Sequence, residues 1–307
     1  MSYKARLFWI LWLPGMAGVL SFLLVDLSAL VAALPQPAGG QVELPPPALL
    51  KLLSIIQPAV LMTVATLVGV FLSGRIGLHS PAAEAAARGD RFAEKLRPQI
   101  LPGVLAGLAA GVAIVLVWVI AKPFLPPEFI VKAEAFNKFM PHAVRLLYGG
   151  FTEELLLRWG VMTFLVWASS RLLGARAKSS PPYKEKVAGF SSPPVLGGVA
   201  DASSDEVVEA AGWSADGVVL SEPQTPKPFY FIGAIAVSAL LFGIGHLPIA
   251  SALAGGLTVP IVIFVITGNS IFGIVAGFLY WKKGLEAAMI AHMSAHLVLI
   301  TAIYLAI

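Results

Sequence analysis

The sequence contains no cysteine. Disulfides, iron–sulfur clusters, thiolate zinc sites and a cysteine nucleophile are therefore excluded. Charge is the second scarcity. Asp, Glu, Lys and Arg make up 12% of the 307 residues, where an ordinary soluble domain carries about 25%. Several signatures are also missing. There is no His-Glu-x-x-His, no Gly-x-Ser-Gly and no Gly-x-Gly-Asp, so zincin-like, rhomboid-like and presenilin-like intramembrane sites find no support. No Gly-x-x-x-x-Gly-Lys phosphate loop occurs. No stretch alternates with a period of two, which argues against a β-barrel.

What is present is apolar. Hydrophobic residues account for 58% of the chain, and the mean hydropathy is +0.84. A soluble globule lacks the polar skin to keep that much apolar surface from water. The same composition excludes disorder for most of the chain. The expected fold is all-α, a polytopic transmembrane helix bundle of about seven spans, because a backbone in lipid must satisfy its own hydrogen bonds. The spans fall at roughly 7–34, 49–72, 100–125, 145–173, 228–250, 257–281 and 285–307. Val31-Ala32-Ala33 looks like a signal cleavage site, but the first span is long for a signal peptide and reads as a retained helix.

Loop charge sets the expected orientation. Lys4 and Arg6 precede the first span. Arg75, Arg88, Arg91, Lys95 and Arg97 fall in 75–98, and Arg176, Lys178, Lys184, Lys186 and Lys227 in 174–227. Lys282 and Lys283 follow the sixth span. The loops at 35–48 and 251–256 have no Lys or Arg. The N-terminus is expected in the cytoplasm and the C-terminus outside. Lys132 and Lys138 break the pattern, and 126–144 reads as an interfacial helix. The formal charge of +4 is thus loop charge facing a membrane, with no nucleic acid implied. Residues 175–227 are rich in Ser, Pro, Gly and acidic residues and read as a polar, disordered cytoplasmic insert. It falls between the fourth and fifth spans and interrupts a helix bundle at 145–307, which follows an N-terminal part at 1–144 of about three spans and the interfacial segment.

An ionised side chain in the middle of a span costs about 2.5–3.5 kcal/mol, so each one calls for a reason. Glu153, Glu154 and Arg158 lie in the fourth expected span, His246 in the fifth, and His292 and His296 in the seventh. Glu154 and Arg158 are four residues apart and can pair on one helix face. Glu153, turned by about 100°, points elsewhere. His292 and His296 share a face. Two carboxylates and three imidazoles can activate water or hold a metal. The spans as drawn put His246 nearer the outer side and His292 nearer the inner, so convergence requires helices offset by about two turns. Asp26 reads as interfacial, and His79 and His142 as solvated loop residues.

The order Glu-Glu-x-x-x-Arg, Phe-x-x-x-His and His-x-x-x-Asn/Asp on successive helices resembles the CAAX prenyl endopeptidase and bacteriocin-processing family. That family is also called CPBP or Abi and includes the type II CAAX proteases. Here the motifs are Glu153, Glu154 and Arg158, then Phe242 and His246, then His292. The glycine-rich run from Asn269 to Gly284 is similar to the helix preceding the family's third motif. The resemblance covers about 145–307 without the insert. This chain departs from it at His296, where the family has Asn or Asp.

The resemblance implies an intramembrane endopeptidase acting on a membrane-anchored protein or peptide. Glu153 would activate the attacking water with help from His246. Glu154 would pair with Arg158 and shape the site, and His292 and His296 would stabilise the oxyanion. Glutamate-dependent and zinc-dependent schemes both fit. Zinc or another divalent metal would be held by His246, His292, His296 and Glu153. Two other readings stand beside this one: a non-catalytic immunity or scaffold protein of the same fold, and a transporter or proton relay. A relay would string its ionisable groups across the bilayer, whereas a peptidase would cluster them.

Overall fold

The computed structural model describes residues 1–26, 46–178 and 226–305. Every regular element among them is helical. Proline and glycine punctuate the chain as their chemistry requires. Proline fixes φ and lacks the N–H that a first helical turn leaves unused. Accordingly Pro47, Pro81, Pro127, Pro228, Pro248 and Pro260 each sit at the first or second position of a helix.

The elements in chain order are α1 (Tyr3–Leu20), α2 (Pro47–Leu72), α3 (Pro81–Arg88), α4 (Phe92–Ala121) and α5 (Pro127–Phe139). A continuous helical rod follows. It begins at α6 (His142–Val144), widens into two π-wound segments (Arg145–Glu153 and Leu155–Met162), and narrows again into α7 (Thr163–Lys178). The last four are α8 (Pro228–Gly245), α9 (Leu247–Ala254), α10 (Val259–Lys282) and α11 (Leu285–Tyr304). Arg171–Thr225 forms a unit of its own, apart from Met1–Ser170 with Pro226–Ile307. The expected polar insert therefore lies mostly outside the described residues, as does the Val31-Ala32-Ala33 site.

Six helices among the described residues are long and apolar enough to cross a membrane: Tyr3–Leu24, Ala48–Arg75, Phe92–Phe124, Pro228–Ala254, Val259–Lys282 and Leu285–Tyr304. Large apolar side chains such as Leu13, Leu61, Leu101, Leu105 and Leu116 are exposed on them. That is the surface expected to meet acyl chains rather than water. The chain is an integral, multi-pass helical membrane protein. The fourth expected span differs from the other six. It is helical, but it carries Arg145, Glu153, Glu154, Arg158 and Arg171 and is π-wound through its first half. The third expected span lies on α4, which starts at Phe92, well before 100, and with α3 makes much of the expected basic loop helical. Within 126–144 the chain forms the helix α5.

The π-wound rod is wedged into the bundle. Its first segment packs on α1 and α11, and its second on α2 and α8. Thr152 donates its hydroxyl to the Gly15 carbonyl at 2.8 Å, and the Trp159 indole donates to the Thr66 carbonyl at 3.2 Å. Thr163 and Tyr280 share a buried hydroxyl hydrogen bond of 2.8 Å. Trp159, Arg158, Leu155 and Met162 are all fully buried. α10 lies along α8. A methyl at Gly273 would come within 2.7 Å of the Ala239 Cα, so only glycine permits that approach.

Candidate active site

Two apolar clusters frame a cavity. One centres on α1, the rod, α8, α10 and α11, and includes Phe242 and Phe272. The other joins α5, α9 and the start of α10 through Phe129, Ala133, Ala250 and Leu253. The cavity encloses about 530 Å³, and its wall includes Glu153, His246, His292 and His296. The ionisable groups are clustered, as a peptidase requires, rather than spread along a path.

Convergence has a local cause at each element. His246 is not in mid-span. It caps α8, and Pro248 turns the chain into the separate helix α9. The Phe242 ring then bridges the motifs, 4.8 Å from the His246 ring and 5.9 Å from that of His292. His292 and His296 stack nearly parallel at 4.9 Å, as neighbours one turn apart on α11 do. The rod approaches α11 closely because position 149 is glycine. A Cβ there would lie 2.5 Å from His296 Nε2 and 3.1 Å from His292 Nε2.

Glu153 and Glu154 both reach His292. His292 Nδ1 is 2.7 Å from Glu154 Oε1, and Nε2 is 3.6 Å from Glu153 Oε2. Glu153 does not share Arg158 with Glu154, as the spacing led one to expect, but the two carboxylates do share His292. The two carboxylates flank one ring. They differ in environment. Glu154 is fully enclosed, while the Glu153 side chain keeps 18% of its exposure, on the cavity side. Such π segments recur at functional sites in proteins generally.

Behind Glu154 stands Arg158, its Nε 3.3 Å from Glu154 Oε2 and both side chains fully buried. Arg158 also donates to the Gly273 carbonyl at 3.2 Å and lies over the Phe242 and Phe272 rings. The expected Glu154–Arg158 pair is therefore present and ties the rod to α8 and α10. Carbonyl and carboxylate oxygens only accept, so two tautomers follow. His246 Nδ1, 2.8 Å from the Phe242 carbonyl, carries its proton, and so does His292 Nδ1 opposite Glu154. Both rings keep Nε2 for the cavity. His296 Nδ1 is buried without a hydrogen-bond partner.

A metal held by His246, His292, His296 and Glu153 would need at least three ligand atoms aimed at one point. Among the described residues, no three His, Asp or Glu side chains group in that way.

Sequence reasoning passed over Arg145, Tyr148 and Asn269, which also line the cavity. Asn269 was visible as a lone amide in an apolar run, and Arg145 as a charge at the edge of a span. His79 and His142 are exposed but not merely solvated. His79 meets Glu84 at 3.3 Å, and His142 meets the Tyr304 hydroxyl at 3.0 Å.

Fold and site together define a polytopic helical membrane protein with a glutamate–histidine centre facing an internal cavity. Residues 215–298 match the model of the type II CAAX prenyl endopeptidase Rce1-like family, so the resemblance read from the motif order is shown for that stretch. The match covers well under half of the chain. It takes in His246, Asn269, His292 and His296, and stops short of the glutamates. No curated protein and no solved structure matches. At the level of the family, the match supports an intramembrane protease.

Proposed function

We propose that the protein is an intramembrane endopeptidase that hydrolyses a peptide bond of a membrane-associated protein or peptide, with Glu153 as the group that activates water. The observation that carries this reading is the His292 ring held between a buried carboxylate and a cavity-facing one. In the proposed reaction, a water between Glu153 and the free Nε2 of His246 gives a proton to Glu153. Its oxygen attacks the carbonyl carbon, and the carbonyl π pair moves onto oxygen. Glu154, backed by Arg158, holds His292 by Nδ1 so that Nε2 points at the reacting centre. In this scheme His292 carries a proton on each nitrogen throughout, Nδ1–H to Glu154, which balances the imidazolium charge, and Nε2–H to the oxyanion, so the ring neither gains nor loses a proton, by the orienting logic of a Ser-His-Asp triad. Collapse breaks the C–N bond, and the amine leaves with the proton from Glu153. His296, stacked on His292, completes the polar wall. No step runs through a metal.

The test is cleavage by purified protein in lipid nanodiscs against a broad panel of membrane-anchored peptides, beside Glu153→Ala. The wild type should cut at least one member and the variant none. Equal inactivity of both would leave the non-catalytic reading. Activity abolished by a chelator and restored by zinc would contradict the metal-free route.

A further inference from the structure

The helix ends sort onto two sides of the bundle. Lys4 lies over the Phe71 ring at 4.7 Å, Arg88 reaches the Tyr3 hydroxyl at 3.4 Å, and Leu285 donates its N–H to the His79 carbonyl at 3.1 Å. The start of α1, the end of α2, α3 and the turn between α10 and α11 therefore share one side. Arg75, Arg91, Lys95, Arg97, Lys227, Lys282 and Lys283 border helix ends on that side too. On the other side Lys51 reaches the Leu23 carbonyl at 3.4 Å, His142 meets Tyr304, and α5 packs on α9. Fewer cations flank those ends: among the described residues they are Lys51, Lys122, Lys132, Lys138 and Arg145. A multi-pass protein keeps the side richer in Lys and Arg in the cytoplasm.

The candidate site is closed towards the basic side. Phe242, Phe272 and His292 form the floor of the cavity. Arg158 lies beneath them, 5.2 Å from the centre of the Phe242 ring and 5.7 Å from that of Phe272. Below Arg158, Trp159, Thr163 and Tyr280 are fully buried, and the last two share a hydrogen bond. Leu78, Ser80, Gln99 and Leu285 are buried further towards the basic loops. Packing of interior density leaves no passage there for water or a peptide. In the other direction the cavity runs from its floor to α5 and α9, which join helix ends on the less basic side. Gly268 marks the open part of this shaft, because a Cβ there would meet no atom within 4 Å.

We propose that the cavity takes its substrate from the side of the membrane away from the cytoplasm, so that the scissile segment belongs to a membrane-anchored peptide or protein already carried across the bilayer. The class of step that supplies such a substrate is polypeptide export. What is cut rests on the endopeptidase reading, whereas the side on which the cavity opens is tested without catalysis. The full chain has no cysteine, so a single introduced thiol is labelled without background. Lys138→Cys stands on α5, Lys95→Cys at the start of α4, and Gly268→Cys in the cavity. In cells expressing each variant, a membrane-impermeant maleimide should label Lys138→Cys when the cells are intact and Lys95→Cys only after permeabilisation. A small charged methanethiosulfonate should modify Gly268→Cys in intact cells and not in inside-out vesicles. Labelling of Lys95→Cys in intact cells, or protection of Lys138→Cys there, overturns the proposal. Modification of Gly268→Cys from the Lys95 side, or from neither side, overturns it too. Wild-type protein should cut reporter peptides tethered with their cleavable segment outside and spare those tethered with it in the cytoplasm. Cleavage of the cytoplasmic set alone also overturns the proposal. If neither set is cut while the labelling pattern stands, the endopeptidase reading fails and the side of the cavity remains.

Discussion

His292 and Glu154 meet at 2.7 Å in a place from which solvent is excluded, and Arg158 closes the far side of the carboxylate at 3.3 Å. The three groups form one unit drawn from two distant parts of the sequence. Removing one member of a buried ion pair costs about 3–5 kcal/mol, because the other charge is stranded. Glu154→Ala and Arg158→Ala should each lower the melting temperature in detergent markedly. The double variant should lose less than the sum of the two, as a coupled pair requires. Strict additivity in a double-mutant cycle would show that the pair is not coupled.

Gly149 is the point where the rod lets the imidazoles in. Gly149→Ala sets a methyl against His296 and His292. The expected outcome is a kcat lower by about 100-fold or more, since small misplacements in a site have such effects. Helical content by circular dichroism should be unchanged. Full activity in this variant would mean that the two rings do not need their stacked position.

His296 stands where the family has Asn or Asp. If its role is to offer an N–H towards the oxyanion, an amide can replace it. His296→Asn should retain activity within about tenfold, and His296→Ala should lose about 100-fold, the usual cost of one such donor. Equal losses in the two variants would remove His296 from the site.

Glu286 joins α3 to the start of α11 and does not line the cavity. Its Oε1 accepts from the Ser80 hydroxyl at 2.7 Å and from the backbone N–H groups of Ala82 and Ala83 at 3.0 and 2.9 Å. It caps α3 from 200 residues away and fixes the start of α11, which carries both imidazoles. Glu286→Ala should destabilise by about 2 kcal/mol, within the range for a lost buried cap, while kcat/KM of the folded fraction stays the same. A loss of kcat/KM without a loss of stability would move Glu286 into the reaction.

The pair of His79, just before α3, and Glu84, in its first turn, makes stability depend on pH. The hydrogen bond to Glu84 raises His79 above its ordinary 6.5, against the opposing effect of burial. Burial pushes Glu84 upward, but hydrogen bonds from His79 and Ser80 and the charges of His79 and Arg88 outweigh it and hold it below 4.5. The His79 contribution is complete below pH 6.5 and fades as pH rises through the raised value. The Glu84 contribution is complete above pH 4.5 and fades as pH falls through the lowered one. The melting temperature of wild type minus that of His79→Ala should therefore be largest between pH 4.5 and 6.5 and shrink on either side. The His79 side is half exposed, so the effect stays below about 1 kcal/mol. A difference that is flat across pH 4–9 would contradict the pairing.

The helical architecture was legible because two kinds of residue mark it locally. Apolar runs define the spans, and prolines such as Pro47, Pro228 and Pro260 start the helices. The candidate residues were legible for a related reason. Lipid penalises charge, so Glu153, Glu154, Arg158 and His292 stand out against their surroundings. What sequence could not supply was winding and distant pairing. A helical wheel parts Glu153 from Glu154, and it does not show that both reach His292 on a distant helix. The termination of α8 at His246 depends on Pro248 being read as a turn rather than as a kink. Glu286 and Arg145 take their meaning from Ser80 and from the cavity, neither of which is near in sequence.

The central claim is that Glu153 activates a water that becomes part of the product. The most direct measurement is mass spectrometry of products formed in ¹⁸O-labelled water by the wild type and by Glu153→Gln. The account predicts one ¹⁸O in the newly formed carboxylate in a single turnover of the wild type, and no product from the variant. A new C-terminus without label, or labelled product formed by Glu153→Gln at the wild-type rate, would contradict it.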